Sequence, residues 1–259
     1  MSTYVMAPKH WIVYDGKSLN DFNVYTSGEA TFNSPEKNYE TIEIVGRNGD
    51  LTIDYGTYKN IDVTYNCFIP YDLEKNARAF RSFLGSKHGY FKLEDTRHPE
   101  EYRIARVLNG LELSTARLDI ATFELIFNCK PQRYLRSGDK VTAFTSSGTL
   151  FNPSYMPAKP LLKIYGSGTG TITINDTKFT VTSLGGGMGP YVLFDTEMLN
   201  AYFIDSYGKR LNRNGCILDN SESSNSNGIE DLELVSGNNT ISFTGGVTSI
   251  EVTPRWWTL

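Results

Sequence analysis

The chain has 259 residues, of which 39% are hydrophobic and 13% aromatic, enough for one or two globular domains with apolar cores. The net charge is −4, and the part up to Tyr134 carries 16 Lys and Arg against 18 Asp and Glu. Neither half is basic, which argues against nucleic-acid binding driven by charge. No stretch reaches the roughly 20 apolar residues of a transmembrane helix, and residues 1–9 lack a signal-peptide core, so we expect a cytoplasmic, membrane-free product.

The three cysteines, Cys67, Cys129 and Cys216, are few and far apart. Such a set is typical of proteins kept in a reducing compartment with free thiols. Cys67 and Cys129 fall within strand patterns, so we expect buried thiols rather than reactive ones.

The first half of the chain opens with a short strand at residues 11–14 and a turn at Asp15 and Gly16. Residues 27–38 are polar and are read either as a solvated connector or as a contact arm. Residues 41–69 are rich in β-branched and aromatic side chains, broken at Asn48 and Gly49, an Asn-Gly pair typical of a type I′ hairpin turn. Ile61, Val63, Tyr65 and Cys67 then alternate with polar residues, which predicts a strand with one apolar face.

A helix follows, with Asp72 as its expected N-cap and Gly85 as its expected end. Leu73, Ala77, Phe80 and Leu84 recur at helical spacing, so we expect this face to pack on the sheet. Further strands are predicted at residues 90–94, 102–108 and 121–129. The first half therefore predicts an α+β domain with one sheet and one main helix.

The second half is richer in Ser, Thr, Gly and Asn and shows little helical periodicity. Short strand patterns separated by turn residues predict a β-sandwich, so the whole protein is expected to be mainly β. The Asn-rich segment after Gly237 is predicted to be a hairpin turn. The polar segment at residues 137–140 suggests domains at 1–136 and 137–259, with a strand near 250–259 that either stays in the second domain or returns to the first.

No constellation for catalysis or metal binding is found in the sequence. His10, His88 and His98 lie too far apart for a metal motif, and a triad is not indicated. The glycine-rich loop at residues 185–189 precedes a proline and a strand rather than the helix of a phosphate cradle. We therefore predict no catalytic residue, no cofactor and no metal, and we expect a protein that is not an enzyme.

Two tryptophans at the end of the chain leave two interpretations open. Trp256 and Trp257 could form a sugar-stacking platform, or they could be a hydrophobic plug that ties down the terminus. We favour the plug.

Several segments together resemble the distal tail proteins of siphophages and prophages of Gram-positive bacteria. In the first half these are residues 46–51 and 58–61, the strand that ends at Phe68 and Ile69, and residues 93–95, 102–106 and 123–134. In the second half they are residues 195–202, 234–241 and 254–259, so the resemblance covers nearly the whole chain. Each motif is weak alone, and their order and spacing carry the resemblance.

The resemblance implies a structural protein of the virion tail tip, assembled in the cytoplasm of the bacterial host. It implies a homo-hexameric ring that joins the tail tube protein to the tail-associated hub or tip protein, and that meets receptor-binding or baseplate proteins. Genomic DNA would pass through this ring without specific binding. The second domain would be a galectin-like or carbohydrate-module-like sandwich, although no histidine follows His98, so galectin-type sugar chemistry is not expected.

The ring contacts are expected in the strands and turn of residues 41–69, because their edges are prone to pair with another chain. The candidate ring-interface residues are Arg47, Asn48, Gly49, Asp50, Tyr58 and Lys59. The alternative function is a glycan-binding module of a host-recognition apparatus, with Trp256 and Trp257 as its contacts. A cell-wall hydrolase with a sandwich appendage is a third hypothesis.

Overall fold

The structure is a computed structural model that describes residues 11–27, 33–117, 120–185, 189–220 and 227–259. The expectations for residues 1–9, for part of the 27–38 segment and for the centre of the glycine-rich loop concern residues outside these ranges. The chain divides into two compact units, one comprising Met1–Arg133 with Leu259 and the other Tyr134–Thr258. Each unit has its own hydrophobic core.

The first unit contains one α-helix and ten strands among its described residues. These elements are β1 (Ile12–Tyr14), β2 (Lys17–Ser18), β3 (Tyr25–Thr26), β4 (Lys37–Ile42), β5 (Leu51–Tyr58), β6 (Ile61–Ile69), α1 (Leu73–Gly85), β7 (Phe91–Asp95), β8 (Glu101–Val107), β9 (Ser114–Arg117) and β10 (Ile120–Leu135), with a 3-10 turn at Leu19–Phe22.

The main sheet of the first unit has the strand order β2-β1-β7-β8-β10-β6-β3, and β4 and β5 form a separate two-stranded sheet. The period of two in β6 buries Ile61, Val63 and Tyr65 on the face that carries the core. The helix α1 packs on this core, with Phe80 fully buried and its ring 6.1 Å from that of Phe123. The predicted arrangement of one sheet and one main helix is confirmed.

Two details of this unit differ from the sequence predictions. Asp72 stands before α1, but its backbone is left-handed (φ 50°) and its carboxylate makes no capping hydrogen bond. The last strand does not stop before Pro131 and runs to Leu135. Its ladder with β6 ends at Cys129 opposite Ile61, so the missing N–H of Pro131 removes no hydrogen bond from that ladder.

The second unit is built almost entirely of strands. They are β11 (Thr142–Phe144), β12 (Gly148–Asn152), β13 (Leu161–Ile174), β14 (Thr177–Leu184), β15 (Tyr191–Asp195), β16 (Asn200–Ile204), β17 (Arg210–Asn212), β18 (Ile217–Asp219), β19 (Gly237–Thr253) and β20 (Trp257–Thr258), with 3-10 turns at Arg136–Asp139, Asn214–Cys216 and Ile229–Asp231.

Two long bent strands, β13 and β19, build this unit as a β-sandwich. The first half of β13 pairs with β15 and the second half with β14, while β19 pairs with β13 along both halves. Side chains from the two halves, such as Leu162 and Ile172, meet in one core. The predicted sandwich and the mainly-β class are confirmed.

Glycines lie where the pairing of β13 with β19 shifts register. A Cβ on Gly166 would lie 2.0 Å from the carbonyl oxygen of Gly246, and a Cβ on Gly246 would lie 1.9 Å from that of Ser167. Local alternation of apolar residues predicts two separate strands, at 161–165 and 170–175, because the glycine-rich stretch between them interrupts the alternation; the structure joins them as the one strand β13.

The predicted hairpin turn after Gly237 is wrong, because Gly237 begins β19. Asn239 is fully buried, and its side-chain amide donates to the carbonyl oxygens of Val235 (2.8 Å) and Gly237 (3.0 Å). Its side-chain oxygen accepts a hydrogen bond from Asn175 at 2.8 Å. The asparagine that suggested a turn thus fixes the start of a strand.

Candidate functional site

The stretch predicted to carry ring contacts forms an exposed two-stranded arm. Its strands, β4 and β5, pair with each other as a sheet of their own, from Ile42 opposite Leu51 to Lys37 opposite Tyr58, with a shift of register between Asn38 and Tyr39. Every residue of β4 is exposed, and so is every residue of β5 except Tyr58. An isolated two-stranded hairpin is at best marginally stable in water, so this arm is a segment that gains from a partner.

One face of the arm is apolar. Because directly paired residues share a face, Ile42 and Leu51 lie together there, followed along β5 by Ile53 and Tyr55. These four side chains are 39–53% exposed and none belongs to either core. Glu40, opposite Ile53, accepts a hydrogen bond from the hydroxyl of Tyr55 at 2.7 Å. Contiguous exposed apolar residues of this kind mark interaction surfaces.

The opposite face of the arm is polar. Thr41 stands opposite Thr52, and Tyr39 stands opposite Asp54. The ammonium group of Lys37 lies 3.6 Å from the carboxylate of Asp54. The arm therefore has two chemically different faces, and only one of them would gain from being covered.

The tip of the arm holds four of the predicted ring-interface residues. Arg47, Asn48, Gly49 and Asp50 are all exposed and lie in the connection between β4 and β5. A type I′ turn at Asn48 and Gly49 is not formed: Gly49 has a positive φ of 81° and Asn48 does not. The connection spans residues 43–50 instead, because Ile42 rather than Arg47 is the last residue paired with β5.

The root of the arm holds the other two predicted residues. Tyr58 is half-buried at the end of β5, and Lys59 forms an ion pair of 3.2 Å with Glu36. The backbone N–H of Lys59 also donates to the carbonyl oxygen of Glu36 at 2.8 Å. These contacts close the arm at its base.

A polar network anchors the next residues to the first-unit sheet. The side-chain amide of Asn60 donates to the hydroxyl of Tyr90 at 2.7 Å and to the side-chain oxygen of Asn128 at 2.9 Å. Asn128 in turn donates to Asp62 at 2.8 Å. The network fixes where the arm leaves the sheet.

The six predicted residues do not form one cluster. The eight residues of β5 separate tip from root by roughly 26 Å at the usual rise of a strand. The tip and the root therefore lie at opposite ends of the arm. Sequence reasoning missed the apolar face between them, although the alternation of Leu51, Ile53 and Tyr55 was a usable signal.

The terminal tryptophans occupy packed positions in the second unit. Trp256 is 4% exposed and belongs to the core. Trp257 is half-buried, and its indole N–H donates to the carbonyl oxygen of Pro157 at 2.8 Å. The ring of Trp256 has no open face on which a sugar could stack.

Reactive groups are protected or dispersed in the described part of the chain. Burial raises the pKa of the Cys67 thiol to about 12 and that of Cys129 to about 12, so neither is a nucleophile near neutral pH. Within the described ranges no three His, Cys, Asp or Glu side chains are grouped so as to hold a metal ion. The helices described are too short or too polar to cross a membrane.

Comparison with solved structures finds a similarity that runs through both units. The crystal structure of SPP1 Dit (gp 19.1), described as a paradigm of the hub adsorption apparatus in phages that infect Gram-positive bacteria, matches with a TM-score of 0.65. The match covers 96% of this chain and 99% of that chain at 13% sequence identity. This chain has the Dit fold.

The fold implied by the sequence resemblance is thereby confirmed. No family model matches the sequence, and no curated protein sequence matches it either. At 13% identity the similarity to SPP1 Dit establishes the fold alone, and the arm described above is the surface feature from which a function can be argued.

Proposed function

We propose that this protein is a structural distal tail protein of a siphophage or prophage. The observation that carries the proposal is the Dit fold over nearly the full length of both chains. In this proposal the protein is not an enzyme and acts by holding other proteins in place at the virion tail tip. SPP1 Dit is described as a hub protein of an adsorption apparatus, and the same role is proposed here.

The proposed assembly is a homo-hexameric ring between the tail tube protein and the tail-associated hub or tip protein. The exposed arm supports this part, because its apolar face has no partner among the described residues of its own chain. A closed ring needs a heterologous interface, in which one surface of each copy meets a different surface of the next. The projecting arm supplies one of these two surfaces, and we propose that a neighbouring copy of the chain covers its apolar face.

The interface is proposed to include the apolar face together with the tip residues Arg47, Asn48, Gly49 and Asp50. Tyr58 and Lys59 would then act at the root, where they support the arm or meet a second neighbour. On the apolar face the carboxylate of Glu40 accepts a hydrogen bond from Tyr55 within the arm, and the ion pair of Lys37 with Asp54 lies on the polar face, away from the proposed contact.

Solution mass and particle images test the proposal. Light scattering of the full chain is expected to give six times the 29.1 kDa of one chain, and a larger mass when tail tube or hub partners are bound. Negative-stain microscopy is expected to show perforated rings. A mass of one chain at high concentration, with no rings even beside partners, would contradict the proposal.

A further inference from the structure

A small cavity lies at one end of the core face of the first-unit sheet. It is lined by residues of β6, β7, β8 and β10 and by the turn after β7, and its volume is about 40 Å³. One buried water occupies roughly 10–15 Å³ of such a cavity, so there is room for about three waters or for one carboxylate or phosphate group. The polar residues that matter here are Tyr65, Asp95, Glu101, Arg103 and Arg133.

Two arginines in this cavity each have a buried N–H without an acceptor. Arg103 is only 9% exposed, and its Nη1 has no hydrogen-bond partner. The side chain of Arg133 is 13% exposed, and its Nε also has none. A buried guanidinium N–H without an acceptor is costly, because it has lost its water and gained nothing in exchange.

The carboxylates of the cavity are engaged elsewhere. Glu101 accepts a hydrogen bond from Nη1 of Arg133 at 3.5 Å, which leaves Nε of Arg133 unused. Asp95 accepts from the hydroxyl of Tyr65 at 3.2 Å and from the backbone N–H of Arg97 at 2.8 Å. Neither carboxylate accepts a hydrogen bond from Nη1 of Arg103.

The two guanidinium groups also repel each other. Burial lowers the pKa of Arg103, and the positive charge of Arg133 lowers it further. The carboxylate of Glu101 raises the pKa of Arg103, but by less than burial or Arg133 lowers it. A negative group between the two arginines would relieve the repulsion and fill the missing hydrogen bonds together.

We propose that this cavity binds one small oxyanion, a carboxylate or phosphate group, between Nη1 of Arg103 and Nε of Arg133. Arginine suits this task because its planar, charged N–H groups match the oxygen atoms of such anions. The proposal does not depend on ring assembly, since every residue that it uses lies within the first unit.

Calorimetric titration of the full-length protein with inorganic phosphate and with acetate, at constant ionic strength against chloride, tests the site. We expect at least one of the two anions to bind the wild type. Arg133→Lys keeps the charge and removes the Nε donor, so its affinity should fall about tenfold, with a similar loss for Arg103→Lys. Arg106→Lys is the matched control, because Arg106 lies on the exposed side of β8 against the ring of Tyr90.

Binding of phosphate alone assigns a phosphate subsite, and binding of acetate alone assigns a carboxylate subsite. Binding of neither anion to the wild type would show that water satisfies the two donors and would overturn the proposal. Equal binding by the wild type, Arg133→Lys and Arg106→Lys would also overturn it, because the anion would then bind elsewhere. Should Arg103→Lys fail to fold, the wild-type and Arg133→Lys titrations still decide the question.

Discussion

The apolar face of the arm allows a quantitative test of ring assembly. Leu51 and Ile53 are 44% and 39% exposed. Full burial of such a side chain contributes about 1.5–3 kcal/mol, so covering the part still exposed contributes about 0.6–1.3 kcal/mol for each. Replacing both by Ser should therefore remove about 1.2–2.5 kcal/mol from each contact between copies. This loss corresponds to a fall of roughly tenfold to seventyfold in the association constant.

Sedimentation velocity over a concentration series measures the effect. The double variant Leu51→Ser/Ile53→Ser should shift dissociation of the ring to higher protein concentration than the wild type. Thr52→Ser is the matched control, because Thr52 lies on the same strand but on the polar face, opposite Thr41. Both variants should keep the wild-type unfolding temperature of the two units, since neither core includes these residues.

Two outcomes would contradict the role of the apolar face without contradicting ring formation itself. If the wild type forms rings and the double variant forms them at the same concentration, the arm is not the interface and the reasoning from its apolar face is refuted. If the control variant loses assembly as strongly as the double variant, the strand rather than its apolar face is the determinant.

Three further predictions concern the second unit. Gly246→Ala should lower the free energy of unfolding, measured by urea titration, by at least about 2 kcal/mol, because the added Cβ would lie 1.9 Å from a carbonyl oxygen. Gly215→Ala is the control: the space around Gly215 is open, so its free energy of unfolding should stay within about 0.5 kcal/mol of the wild type. Asn239→Ala should cost about 2–3 kcal/mol in the same assay, since it leaves buried carbonyl oxygens without their donor. Asp195→Asn should reduce stability at neutral pH, and its difference from the wild type should shrink in acid.

The sign of the Asp195 prediction follows from its surroundings. Burial alone would raise the pKa of Asp195, but two hydrogen bonds of 2.8 Å from Arg255 outweigh it, so the pKa is lowered on balance. A carboxyl whose pKa is lower in the folded state contributes stability above its unfolded pKa and loses it as the pH falls through the folded value. A constant difference between wild type and variant across the acid range would contradict this reasoning.

Local periodicity predicted the parts of the fold that depend on short-range patterns. The alternation in β6 and the helical spacing of Ala77, Phe80 and Leu84 point to faces that the structure buries. Both patterns are read within one element, and burial of one face enforces them. The mainly-β class and the single main helix could therefore be predicted from the sequence.

Features that depend on distant residues could not be predicted in this way. The bend that makes one strand of β13 requires Gly166 and Gly246 to approach each other, and they lie 80 positions apart in the chain. Asn239 looked like a turn residue because asparagine favours turns locally. In the structure its buried amide also donates to the carbonyl oxygen of Leu150 at 3.4 Å, and its side-chain oxygen accepts a hydrogen bond from Asn175 at 2.8 Å, both far away in the chain. At Asn239 these tertiary hydrogen bonds outweigh the local preference of asparagine for turns.

The sequence predicted the tip and root residues of the candidate interface but not the apolar face between them. Polar residues such as Arg47 and Asp50 were selected because they flank a predicted turn, whereas Ile53 and Tyr55 were not selected although they lie in the same stretch. Only the structure shows that this strand leaves the sheet and keeps its apolar face exposed. The apolar side chains of Leu51, Ile53 and Tyr55 belong to neither core, and exposing them to water costs free energy that is recovered when another molecule covers the face. The proposed ring supplies such a molecule, and the Leu51→Ser/Ile53→Ser variant tests whether it does.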